Sequence, residues 1–193
     1  MNAAIQYNGL VLLYGYLQRL YVHERTKGLL DNGAFNVEKI DIITQHLKKI
    51  HDITDVFDNN KKLDETNQAL LLDIANVCSE MSDEYKNEIL NSKTFKDELA
   101  VVASTIYAEE HINNGIIKMG ELFNPEIQDR FMQQILYYRN RVALVNAVVQ
   151  KETEGKEISE KEKEQIKNWY METSQTSSYM KKDFDSIKEY IQS

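Results

Sequence analysis

The stretch Glu121-Leu122-Phe123-Asn124-Pro125-Glu126-Ile127 holds the single proline of a 193-residue chain that has only seven glycines besides. A proline inside a helix removes a backbone donor and clashes with the preceding turn, so a chain that nearly excludes it is free to run in long helices. Pro125 stands where a helix begins. Asn124 supplies an N-cap side chain, the ring is pre-set for the first turn, and Glu126 lies near the positive end of the dipole. Residues 92–150 therefore read as a helical hairpin pivoting at 124.

Working outward, the length suits one domain and can bury a sizeable core. Hydrophobic residues at 42% and charged residues at 28% argue against wholesale disorder. The formal net charge is −8. No run of adjacent cations is longer than a pair, at Lys48-Lys49, Lys61-Lys62 and Lys181-Lys182, and the others stand singly among acids. A phosphate backbone rewards clustered cations, so no nucleic-acid partner is expected. The charge allows, without demanding, an acidic face opposite a basic protein partner.

The lone Cys78 excludes an internal disulfide and reads as a small buried hydrophobe on an apolar helical face. Met1-Asn2-Ala3-Ala4-Ile5-Gln6 lacks the basic start of a signal peptide. The Leu- and Tyr-rich run from 10 to 22 is interrupted by Gln18 and Arg19 and is too short to span a bilayer. The expectation is a soluble, cytoplasmic protein with no membrane association.

Six helical segments emerge, with a further amphipathic piece at the end. The first covers about 2–30, ends at Asp31-Asn32-Gly33, and has apolar residues on several sides, as a central helix would. The second, about 36–57, carries Ile40, Ile43, Leu47, Ile50 and Phe57 at spacings of three and four, with Thr54 filling the remaining position. The third, about 64–90, shows Leu71, Ile74, Cys78, Met81 and Tyr85 on one side, with Ser82-Asp83 able to cap a restart. The fourth, about 92–123, has Phe95, Leu99, Val102, Ile106, Glu109, Asn113, Ile116 and Phe123 on its stripe. The fifth, from 125 to about 154, alternates Phe131, Ile135, Tyr138, Val142, Val145 and Val149. Gly155 is a helix stop, and Ser159 with Glu162 has capping-box spacing for the sixth helix, whose apolar face is Ile166, Trp169 and Tyr170. Beyond the polar run from Thr173 to Ser178, Met180, Phe184, Ile187 and Ile191 give the last amphipathic piece. The fold class is all-α: an antiparallel bundle of five to seven helices in one domain, with 158–193 open to being an appended C-terminal element.

Two polar lapses interrupt the hairpin. Glu109-Glu110-His111 and Asn113-Asn114 break the fourth helix, and Arg139-Asn140-Arg141 breaks the fifth. Reflection about 124 or 125 sets 109 or 110 opposite 139 to 141, so a network of Glu109 and Glu110 with Arg139 and Arg141 is expected. A guanidinium partner offsets much of the cost of an acid in a core. Such a network fixes hairpin register; alternatively Glu109, Glu110, His111, Asn113, Arg139 and Arg141 line a binding pocket or partner contact. Both require the helix to continue through Asn113-Asn114-Gly115, which Ile112, Ile116, Met119 and Phe123 favour by their spacing.

Other constellations are weaker. His51, Asp55 and Asp58 share one helical face, and His51, Asp52 and Asp55 are the candidate metal ligands, though exposed polar residues at this spacing are common. His46 flanks the apolar stripe and is placed to hydrogen-bond at its margin. His51-Asp52, with His23 upstream, superficially resembles the His…His-Asp pattern of HD-type phosphohydrolases, which bind metals on a helical scaffold. Only those three residues match, and Leu47-Lys48-Lys49-Ile50 stands where that family has an apolar run. No Glu lies three before any histidine, which argues against a ferritin-like di-iron bundle. No nucleophile–base pair and no glycine-rich phosphate loop stands out.

The reading is a non-enzymatic interaction protein with no cofactor and no metal, an adaptor, inhibitor or assembly component of bacterial or phage type. It would bind a protein partner through an acidic, Tyr-bearing surface, with homo-oligomerisation open. The alternative is a helical-bundle enzyme or a small-ligand or metal-binding protein, built on the mid-hairpin cluster or the His51/Asp52/Asp55 face.

Overall fold

The computed structural model describes residues 2–55, 62–120, 125–176 and 180–193, with side chains at 5–55, 62–88, 90–107, 109–110, 139–174 and 184–193. Among the described residues there are seven helices and no strand. They are α1 (Asn2–Leu30), α2 (Val37–Asp55), α3 (Glu65–Leu90), α4 (Phe95–Gly120), α5 (Pro125–Thr153), α6 (Glu160–Thr176) and α7 (Met180–Gln192).

Local chemistry sets the ends of these helices. After Leu30, Asn32 takes φ 54° and Gly33 takes φ 83°, and the Gly33 N–H donates to the Gly28 carbonyl at 2.8 Å. That six-to-one bond is a Schellman cap, with asparagine in the left-handed position that glycine usually holds. Phe35 folds back onto Gly28, and the Arg25 guanidinium lies 5.0 Å from the Phe35 ring centroid. α5 ends in the same way: Gly155 takes φ 65°, and the Lys156 N–H donates to the Lys151 carbonyl at 2.8 Å.

The capping box at α6 forms as its spacing predicts. The Ser159 N–H donates to Glu162 Oε2 at 2.9 Å, and the Glu162 N–H donates back to Ser159 Oγ at 3.3 Å. Thr94 caps α4, its Oγ1 accepting the Asp97 N–H at 3.1 Å, so the helix starts at Phe95 rather than about 92. Asp64 caps α3, accepting the Asn67 N–H at 2.7 Å. α3 runs unbroken past Ser82, which is buried, so no restart occurs there. α4 is likewise continuous through Asn113-Asn114-Gly115, and α5 begins at Pro125 itself; the Asn124 cap lies outside the described residues.

The helices gather into two compact units interleaved along the chain. One takes residues 1–21, 37–91 and 176–193, and the other takes 22–36 and 92–175. α6 and α7, read together as an appended element, thus fall in different units.

In the first unit, Leu10, Leu13 and Leu17 of α1 join Ile43, Ile50 and Ile53 of α2 in a fully or nearly buried core. Leu71, Ile74 and Cys78 of α3 and Phe184, Ile187 and Ile191 of α7 complete it. The α2 face is turned slightly from the expected stripe: Ile53 is buried while Ile40, Leu47 and Thr54 are half-buried. Gly9 lets α7 come close, since a Cβ there would stand 3.0 Å from Tyr190 Cβ. In the second unit, α4 and α5 pack against each other as a hairpin. Leu99, Val102 and Ile106 of α4 are buried with Val145 and Val149 of α5, as their spacing foretells. Ala100, Val101, Ala103 and Ser104 are buried as well, so this part of α4 is enclosed all round.

Candidate functional site

The mid-hairpin residues sit on the two packed helices of the second unit. Glu109 and Glu110 are half-exposed on α4, Arg139 is exposed on α5, and the side chains of His111 and Asn113 lie outside the described residues. Arg141 is mostly covered, with 18% of its side chain exposed, and two of its contacts run to α6. It pairs with Glu172 at 3.2 Å and lies 5.0 Å from the Trp169 ring centroid. One guanidinium therefore meets a carboxylate and an aromatic face together, a combination that its planar fork allows and an ammonium would serve less well.

Hairpin register is visible one turn away. The Tyr107 hydroxyl donates a short hydrogen bond to Asn146 Oδ1. Helical side chains lean toward their own N-terminus, so in an antiparallel pair a long ring meets a partner somewhat beyond the one opposite its backbone. Reflection about 124 or 125 sets 107 opposite 141 to 143, so Asn146 stands three to five residues further along α5. Burial, and then the Glu110 carboxylate, push the Tyr107 phenol up to about 12, so it stays a donor across the physiological range.

The histidines divide. His51 and Asp55 of α2 form an exposed pair one turn apart, at 3.2 Å. His23 belongs to the second unit and is buried there, its Nδ1 3.0 Å from Ser104 Oγ. The Ser104 hydroxyl donates to the Val101 carbonyl at 3.0 Å, so its oxygen is left to accept from an Nδ1–H tautomer of His23. Among the described residues, the buried Nδ1 of His46 has no hydrogen-bond partner. Burial, and then nearby Lys49, hold its pKa below the usual histidine value. The Cys78 thiol is buried and pushed well above the usual range, as a small core hydrophobe would be. Among the described residues, no three His, Cys, Asp or Glu side chains converge as a metal would need.

A one-sided acidic face lies on α3. Asp73, Asn76, Glu80, Asp83, Glu84 and Asn87 recur at helical spacing and are all exposed, while Leu71, Ile74, Ala75, Cys78 and Tyr85 face the core. Lys39 of α2 reaches Glu84 at 3.0 Å. On α2, Glu38, Asp41, Asp52 and Asp55 are exposed too. Aromatic tips accompany these acids within the first unit. Tyr7, Tyr14, Tyr16 and Tyr21 of α1 are half-buried and Tyr190 of α7 is exposed. Gln18 donates to the Tyr14 hydroxyl at 2.9 Å, and Tyr16 packs on Phe184 with ring centroids 4.7 Å apart.

Sequence reasoning missed the buried polar knot of the first unit. Gln6, 1% exposed, donates to the Ile191 carbonyl at 3.0 Å and accepts the Leu63 N–H at 2.9 Å. Gln68 donates to the same carbonyl at 2.8 Å, and at the exposed edge of the knot Lys62 donates to the Ser193 carbonyl at 2.8 Å. The one available signal was a glutamine seven residues before Leu13 and four before Leu10, on the same side of α1 as both, where a buried amide needs partners.

Fold and surface together define an all-α helical protein, in which no helix among the described residues is long and apolar enough to cross a membrane. A scan of family models, a search of the curated proteins and a search of the solved structures each find no match to the chain.

Proposed function

We propose that this is a non-enzymatic interaction protein of the cytoplasm, an adaptor, inhibitor or assembly component. It binds a basic protein partner through the acidic face of its first unit. The observation that carries this reading is the outer side of α3, where Asp73, Glu80 and Asp83 are exposed on one stripe over a helix whose inner side is core. Charge of one sign along a rigid helix steers an oppositely charged partner and speeds encounter more than it deepens affinity. Half-buried tyrosines offer contact area with a polar tip and few rotors to order, which suits a protein surface.

The test is co-purification from the native host, followed by binding of the purified partner to the chain and to the Asp73→Lys/Glu80→Lys/Asp83→Lys variant. The association rate is expected to fall by about tenfold or more in the variant, and to fall in the parent as salt shortens the Debye length. A partner that binds both forms at one rate, at low and high salt alike, would overturn this assignment of the face. The absence of any stoichiometric protein partner would overturn the function.

A further inference from the structure

We draw no further inference here: the strongest candidate, the surface cluster of Arg141, Trp169 and Glu172 where α6 meets α5, closes on itself through its own ion pair and ring contact, and nothing in the structure shows what would cover it.

Discussion

A Cβ added at Gly28 would stand 2.1 Å from Cδ1 of the Phe35 ring, which rests on the helix backbone there. Helix propensity alone favours alanine over glycine by about 1 kcal/mol, whereas forcing a packed ring aside costs roughly 1–3 kcal/mol. Gly28→Ala is therefore expected to lower the urea midpoint. In a Phe35→Ala background the same change should be neutral or stabilising, and equal losses in both backgrounds would show that the ring is not the obstacle.

Glu162 gives a pH signature at the same scale. The Lys151 ammonium, 2.7 Å away, and then the Ser159 N–H and hydroxyl hold its carboxyl down to about 2, from an ordinary 4.5. A depressed carboxylate contributes stability that is whole above the unfolded value and drains away as pH falls through the folded one. The stability difference between the parent and Glu162→Gln should thus be level above about pH 5, shrink as pH falls, and vanish only below the folded value, by about pH 1. A difference that persists unchanged in acid would mean that the carboxylate charge plays no part. For the mid-hairpin pair the proposal is modest, because Glu109 is half-exposed and Arg139 exposed. A double-mutant cycle should give a coupling under about 1 kcal/mol, and strict additivity would mean that the two do not meet.

Among elements, α7 is the clearest case of a helix made stable by its surroundings. Thirteen residues are marginal as an isolated helix, so Phe184, Ile187 and Ile191 must hold it by burial. Ile187→Ala is expected to cost about 2–5 kcal/mol in urea unfolding. The end of α7 is tied by polar bonds as well. Gln6→Leu removes a donor from the Ile191 carbonyl and an acceptor from the Leu63 N–H, both part of a buried site. A loss of about 1–3 kcal/mol is expected, with faster amide exchange at Leu63 and the last turn of α7 than in α5. Exchange that rises uniformly through the chain would refute a local role for Gln6. The helix boundaries themselves were largely legible, because asparagine, glycine, serine and threonine act on backbone groups only a few residues away. Ser159 with Glu162, Asn32 with Gly33, and Gly155 each did what their chemistry implies. α4 starts at Phe95 rather than about 92, where the Thr94 hydroxyl caps it.

For the whole molecule, net charge −8 and an acidic outer face on α3 predict binding that depends on salt and on charge sign. Exposed substitutions away from packed features usually change stability by less than about 0.5 kcal/mol each. The triple lysine variant should therefore keep its unfolding midpoint while its partner association slows, which separates a binding effect from misfolding. Elemental analysis of the purified chain is expected to show no stoichiometric metal. A bound metal lost in His51→Ala would instead favour the alternative built on His51, Asp52 and Asp55.

The all-α class, the start of α5 at Pro125 and most of the core positions among the described residues were determined by the sequence alone, since periodicity and capping are local properties. Tertiary structure decided where the polar side chains go. Gln6 finds its acceptor 185 residues away, and His23 finds Ser104 at a separation of 81. Arg141 also reaches Glu172 and Trp169 of α6, contacts that hairpin reflection does not foresee. Partners so distant are chosen by how the packed helices bring backbone carbonyls, hydroxyls and rings together, and the spacing within a single helix carries no record of that choice.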